Sequence, residues 1–320
     1  MYLKVIWMEF LAIDGAIGEG GGQILRTSLT LSALLGKPVK ITNIRAGRQQ
    51  PGLKRQHLTA IQALAKITDA DVSGATEGSQ SISFCPKKIK HGEFEFDIGS
   101  AGSTMLVFQA VLPVLLSAEK ESRVTLIGGT HVPFAPTFDY VKSVFLPTLG
   151  IDTELEMKRP GFYPKGGGVV EARIAPINLA GVKLRIGSNK GPAKARITSA
   201  NLPDEVVRRE WQTLLSAKIN DVEITRIEAD SPGNAILVYS GSTGSSNLGK
   251  IGYKAEDVAK DCVETFEKYC ANNANVDPYL ADQLLVYKYL AEPDAAELNP
   301  VEKIKHYETN ESIIKLFLEK

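Results

Sequence analysis

The chain has 320 residues, enough at ~100–200 residues per domain for two domains or one domain with a large insertion; a bare peptide or lone small module is excluded. Apolar residues make up 43% and charged residues 23%, the balance of a globular chain that buries a core and not of a disordered one. Lys plus Arg and Asp plus Glu each total 37, so no global field draws the molecule to nucleic acid or membrane, and any polyanion site must be local.

Cys85, Cys262 and Cys270 are odd in number and widely spaced, which fits neither a disulfide framework nor a paired-cysteine zinc site and points to a reducing, cytoplasmic setting. No run approaches ~18 uninterrupted apolar residues, so no membrane span is expected. Met1 to Ile13 is too short for a signal peptide and lacks a cleavage-like tail. It reads as a strand leading into Asp14, with Met8 as an alternative start.

In chain order, the glycine-rich stretch Gly18 to Gly22 opens a helix over Gln23 to Leu35, which Gly36 stops. Lys37 to Ile44 alternates as a strand, the basic loop Arg45 to Arg55 follows, and a second helix covers Gln56 to Thr68. Short strands come next at Ala70 to Gly74 and Ser81 to Cys85. The grammar then returns: Gly99 to Ser103 opens a helix over Thr104 to Ala118, a strand over Arg123 to Ile127, a turn at Gly128 to His131 and a helix over Thr137 to Leu149. Gly18 to Ile44 thus matches Gly99 to Ile127 in an internal repeat of ~80 residues.

A partial third unit lies at Asp277 to Lys320, with a helix over Tyr279 to Leu290, a strand over Val301 to His306 and a last helix over Glu311 to Leu318. Between the second and third units, Val182 to Asn272 reads as a small α/β module. Arg185 to Gly187 and Lys194 to Ser199 are strand-like, Asp204 to Lys218 is helical, and Val222 to Ile227 and Ala235 to Ser240 are strands. Gly241 to Leu248 reads as a Gly/Ser-rich surface loop, and Tyr253 to Cys270 as a closing helix. The expected fold is mixed α/β, with a large repeat-built domain over 1–181 and 273–320 and a smaller inserted α/β domain over 182–272.

Chemistry-bearing residues concentrate early. No acidic residue lies between Glu19 and Asp69, while Arg26, Lys37, Lys40, Arg45, Arg48, Lys54, Arg55 and Lys66 all do. Arginine is suited to bidentate phosphate recognition, and Arg45 and Arg48 flank Gly47, where backbone can approach a ligand; the plain alternative is a solvated basic face. The glycine loop before a helix offers free N–H groups to an anion but matches neither a Walker A loop nor a dinucleotide fingerprint. Glu19, at the edge of this basic stretch, suits either a divalent cation or a neighbouring arginine. Of the four histidines, His57 starts a helix in the basic segment, His91 sits in a turn, and His131 and His306 stand at strand ends.

Several separated motifs together resemble the RNA 3'-terminal phosphate cyclase family. They are Asp14-Gly15 with Gly18 to Arg26, Ile44 to Arg48, Pro51 to Leu53 with Gln56 to Leu58, Gly99 to Ser103 with Gln109, Gly128 to Thr130, Gly161 to Pro164 with Gly166 to Gly168, and Leu280 to Gln283. The resemblance implies a large domain of three α/β repeats similar to the C-terminal domain of a translation initiation factor, with a smaller α/β domain inserted before the last. It implies a histidine that takes AMP from ATP, passes it to an RNA 3'-phosphate, and so lets the neighbouring 2'-hydroxyl close a 2',3'-cyclic phosphate. His306-Tyr307-Glu308-Thr309-Asn310 matches the nucleophile motif. The resemblance further assigns Glu19 to a divalent cation (Mg2+ or Mn2+) and Arg26, Arg45, Arg48 and Gln56 to phosphates of ATP or the RNA end. Gln109, Pro136, Tyr279, Leu280, Ala281, Asp282 and Gln283 match adenylate-binding positions, with Tyr279 against Pro136 offering a sandwich for adenine. The implied partner is RNA with a 3'-phosphate end, without a membrane, and a homo-oligomer remains open. The main rival is a cyclase-like RNA- and protein-binding factor of ribosome biogenesis; that branch lacks the nucleophile that His306 matches.

Overall fold

The computed structural model describes residues 9–187, 191–271, 273–291 and 297–319; residues 1–8 of the expected N-terminal strand, with the alternative start at Met8, lie outside the described residues. The first unit starts with β1 (Leu11–Asp14) and α1 (Gly22–Leu35). Gly36 ends α1 in the left-handed region at φ 65°, where a side chain would be strained, and its N–H donates to Ser32 O. β2 (Val39–Thr42), α2 (Arg55–Thr68), β3 (Asp71–Ser73) and β4 (Ile82–Cys85) complete the unit. Its sheet runs β1-β2-β4-β3, with β1 parallel to β2 and β4 antiparallel to both neighbours.

The second unit repeats this plan. β5 (Glu93–Asp97), α3 (Thr104–Leu116) and β6 (Ser122–Gly128) are followed by a helical stretch in place of α2. That stretch is α4 (Phe138–Tyr140), a π-helical turn Val141–Phe145 and α5 (Leu146–Leu149). β7 (Thr153–Arg159) and β8 (Gly168–Ile174) close the sheet β5-β6-β8-β7 with the same strand directions as the first.

A third sheet has its own core. β9 (Lys194–Ala200), α6 (Asp204–Ser216), β10 (Asp221–Arg226), β11 (Gly233–Ser240), β12 (Thr243–Leu248) and α7 (Ala255–Tyr269) build the order β10-β9-β11-β12. Two expectations fail here. Arg185 to Gly187 forms no strand, and Gly241 to Leu248 is not a surface loop but a hairpin turn and the strand β12. Backbone pairing with β11 needs no apolar side chain, and small residues suit a strand whose Thr243, Gly244 and Ser245 are buried against α4 and α7.

The third unit contributes α8 (Pro278–Leu290) and α9 (Lys305–Leu318). The expected strand over Val301 to His306 is absent. A single parallel bridge joins Val276 to Pro300, because proline cannot continue the ladder as a donor, and α9 begins at Lys305. Tyr307, Asn310, Ile313, Ile314 and Phe317 then turn inward at helical spacing, which places His306 in the first turn of a helix and not at a strand end. α9 packs on α1 and α8, so the last helix belongs to the same core as the first. Among the described residues no helix is long and apolar enough to cross a membrane.

Candidate active site

α1 and α9 both begin without a side-chain cap, and residues from their first turns, Gln23 and His306, line one cleft of about 620 Å³. Two uncapped helix N-termini at one cleft present free N–H groups and positive dipole ends to an anion. Glu19, on the glycine loop before α1, lines the same cleft.

His306 is held on both ring nitrogens. Its Nδ1 lies 2.5 Å from Gln23 Oε1 and its Nε2 lies 2.9 Å from Glu19 Oε2. The Gln23 amide cannot turn over, because its Nε2 donates to Asp282 Oδ1 at 2.6 Å, and an ionised carboxylate only accepts. Gln23 Oε1 therefore faces His306 and Nδ1 carries a proton, while Nε2 donates to the Glu19 carboxylate in this arrangement and presents a lone pair only once that contact is released. Asp282 is pinned in turn by Asn310, whose Nδ2 donates to Asp282 Oδ1 at 3.0 Å and to its backbone oxygen at 3.1 Å. Thr27 Oγ1 donates to Asn310 Oδ1 at 2.7 Å and closes the network. Burial pushes the Asp282 carboxyl up to about 6, while hydrogen bonds from Asn310 and Gln23 pull the other way.

Beside His306 stand Arg26 and Arg48. Arg26 is half-buried in the cleft wall, and burial lowers its guanidinium to about 10, with Asp282 offsetting part of that cost. Among the described residues it makes no hydrogen bond or ion pair within the protein. Arg48 reaches Glu19, with Nη2 3.3 Å from its backbone oxygen and 3.8 Å from Oε2. Arg45 donates to Gly52 O at 2.7 Å and lies outside the cleft lining. His57 is buried among these charges, and desolvation together with Arg26, Arg45 and Lys54 lowers it to about 3, so it is neutral. Its Nδ1 accepts the Lys54 N–H at 3.0 Å. A methyl group on Gly22 would stand 2.2 Å from His57 Nε2, so glycine is what lets α1 and α2 close on each other here.

The other expected positions divide. Gln109, Pro136, Tyr279, Asp282 and Gln283 line the cleft. Gln109 Nε2 donates to Gln283 Oε1 at 2.7 Å, and Tyr279 is 51% exposed with its ring edge-on to Tyr269. Leu280 and Ala281 are fully buried in the core and do not line the cleft, because helical spacing turns them away from Tyr279 and Asp282. Gln56 also lies outside the lining, and its Oε1 accepts the Ser103 N–H at 3.2 Å. His131 serves a buried network away from His306: its Nε2 lies 3.0 Å from Asp139 Oδ2, which also accepts from Thr198 Oγ1 at 2.7 Å.

Sequence reasoning gives no role to Gln23, Thr27 or Asn310, nor to β12, whose Gly244, Ser245 and Ser246 line the cleft. It also misses Asp277. That carboxylate caps α8 through the Tyr279 and Leu280 N–H groups, and accepts the Gly244 N–H at 3.0 Å and the Tyr140 hydroxyl at 2.7 Å. The signal available was the helix-start pattern Asp277-Pro278 alone. Among the described residues no group of three or more His, Cys, Asp or Glu gathers as a metal site, and Glu19 is the carboxylate in contact with His306.

Comparison with known proteins agrees with this arrangement. The family model described as RNA 3'-terminal phosphate cyclase matches residues 17–320. A protein of that name from Pyrobaculum aerophilum is 40% identical over 96% of this chain and 92% of its own length. Those from Ectopseudomonas mendocina and Koribacter versatilis are 40% and 39% identical, each over 97% of this chain, and over 93% and 90% of their own lengths. With the match running through both uncapped helices and the His306 network, the chain belongs to the RNA 3'-terminal phosphate cyclase family.

Proposed function

We propose that this chain converts an RNA 3'-phosphate end to a 2',3'-cyclic phosphate at the expense of ATP, with AMP carried on His306. The observation that carries the reading is the fixed ring of His306. Gln23 holds the Nδ1 proton, so Nε2 is the nitrogen left for attack once Glu19 gives up its contact, in a cleft that also presents Arg26 without an ion pair among the described residues. Nε2 attacks the α-phosphorus of ATP, a P–N bond forms, the bond from that phosphorus to the bridging oxygen breaks, and pyrophosphate leaves. Arg26, Arg48 and the α1 N-terminus then meet the charge on the transferring group. An oxygen of the RNA 3'-phosphate takes the adenylyl group and the P–N bond breaks. The 2'-hydroxyl next attacks the 3'-phosphorus, gives up its proton and expels AMP.

Gln109, Pro136, Tyr279 and Gln283 suit the adenosine end of the cleft, with Tyr279 offering a ring face and the two glutamines polar edges. Arg45 and Gln56, outside the cleft, suit the RNA end. The single carboxylate Glu19 fits a magnesium-type ion, which commonly takes one or two carboxylates and completes its shell with water and substrate phosphate. Such an ion would neutralise phosphate charge, and Glu19 would then exchange its contact with Nε2 for the metal. The separate core of the third sheet supports reading 182–272 as an inserted domain, and the cysteine pattern supports a cytoplasmic setting.

Incubation with α-phosphate-labelled ATP and magnesium tests the reading. Wild type is expected to hold acid-labile label that RNA with a 3'-phosphate discharges, and His306→Ala to hold none. Label retained by His306→Ala would place the nucleophile elsewhere. No label on wild type with any divalent ion would favour the non-catalytic binding factor.

A further inference from the structure

We propose that the surface beyond the arginines is a track for single-stranded RNA, and that a base upstream of the 3'-phosphate end stacks on Tyr163. This rests on the RNA-end reading above. A contiguous band of contacts leads there from the nucleophile. Gly21 sits between Arg48 and His306, since a methyl group on it would stand 3.4 Å from Arg48 Nη2 and 3.8 Å from His306 Cε1. Around His57 on α2 lie Arg26, Arg45 and Lys54. The preceding residue, Gln56, accepts the Ser103 N–H, and Arg55 Nη1 donates to Gly99 O at 2.9 Å, so the 99–103 loop lies directly against this cationic group. On the loop's other side, a methyl group on Gly166 would stand 2.7 Å from Ser100 O.

The turn that Gly166 closes is rigid. The Gly166 N–H donates to Phe162 O at 2.8 Å and the Lys165 N–H to Ser231 Oγ at 3.2 Å, while the buried Phe162 ring stacks on His131 with centroids 5.3 Å apart. From this anchored turn Tyr163 projects with 72% of its surface exposed, and Lys165 beside it is exposed as well. Neither residue lines the 620 Å³ cleft, so neither serves the nucleotide placed there.

Charge selects the occupant. Among the described residues, Lys54, Arg55 and Lys165 form no ion pair with a carboxylate. Asp97 Oδ1 accepts the Gly99 N–H at 2.7 Å, and Asp230 pairs with Arg159 at 3.7 Å. Unpaired cations leading to one exposed aromatic ring on an anchored turn form the pattern that binds single-stranded nucleic acid, with phosphates on the cations and a base on the ring. A carboxylate-rich protein surface would use the cations and leave the ring without a role.

The test measures direct binding of 3'-phosphorylated oligoribonucleotides, from dinucleotide to decamer, to wild type, Tyr163→Ala, Tyr163→Phe and Lys165→Ala. Wild-type affinity is expected to rise with length. Tyr163→Ala should lose about tenfold on the decamer and almost nothing on the dinucleotide, with Tyr163→Phe close to wild type. Lys165→Ala should weaken the decamer less and flatten its salt dependence. Formation of the AMP adduct, which needs no RNA, should be unchanged in all three. Equal decamer binding by wild type and Tyr163→Ala overturns the proposal, as does an equal loss on the dinucleotide. Should Tyr163→Ala fail to fold, photocrosslinking of a decamer with a single 4-thiouridine upstream of its end decides on wild type: adducts at Tyr163 support the track, and adducts confined to other sites overturn it. Failure of the cyclisation reading shows separately, as missing AMP label on wild type.

Discussion

Gln23 is a side chain whose loss would be felt in chemistry before stability. Its amide passes the orientation of Asp282 to His306, and with Leu in its place the imidazole would be free to exchange its two neutral tautomers, one of which points a proton at the phosphorus. Gln23→Leu is expected to slow AMP-adduct formation by roughly tenfold or more while the thermal midpoint moves little, measured as single-turnover labelling beside a melting curve; unchanged labelling would remove Gln23 from the mechanism. Glu210 behaves in the opposite way. Buried on α6, it accepts from Asn234 through Oε1, its Oε2 has no partner, and burial pushes its carboxyl up to about 7. The folded state therefore keeps a proton that the unfolded chain releases near 4.5, and stability falls as pH rises from about 4.5 through 7. The swing is on the order of 3 kcal/mol at most, and Glu210→Gln should flatten it in denaturant titrations across that range. The position of Glu210 on its helix was readable, but its missing partner was not, since that depends on β11. Gln23 was likewise visible only as part of a glycine-rich motif, because its partner lies 283 residues away.

Elements were more legible than contacts. β5, Glu93 to Asp97, alternates charge and Phe as strongly as any strand in the chain, yet only the turn before it drew notice. β12 was hidden for a better reason: Thr243 to Leu248 has turn-like composition, and it is a strand because β11 supplies its pairing and α4 its cover. The segment before His306 alternates over too few residues to separate a strand from a helix start, and Pro300 settles the outcome locally. β12 also carries a testable consequence. A methyl group on Gly244 would stand 2.9 Å from Val144 Cγ2 and 3.1 Å from the Tyr140 ring, so Gly244→Ala must part β12 from α4 and its π-helical continuation. A loss of about 1–3 kcal/mol in unfolding free energy and weaker ATP binding are expected, read from denaturation and nucleotide titration; a variant as stable as wild type would show that the wall yields freely.

At the scale of the molecule, the repeat read from recurring glycine-rich helix starts is present as two sheets of one topology. The third unit keeps only its helices among the described residues, because α9 finds its cover on α1 of the first unit. No composition or periodicity could have told that α1 and α9 meet. The meeting has a consequence during synthesis. The cationic residues around α2 all come from the first two units, whereas His306 and the Gln23 amide come together only when α9 docks on α1. On the proposed mechanism, the appearance of AMP-transfer competence would mark the moment at which the polypeptide has closed its own circle.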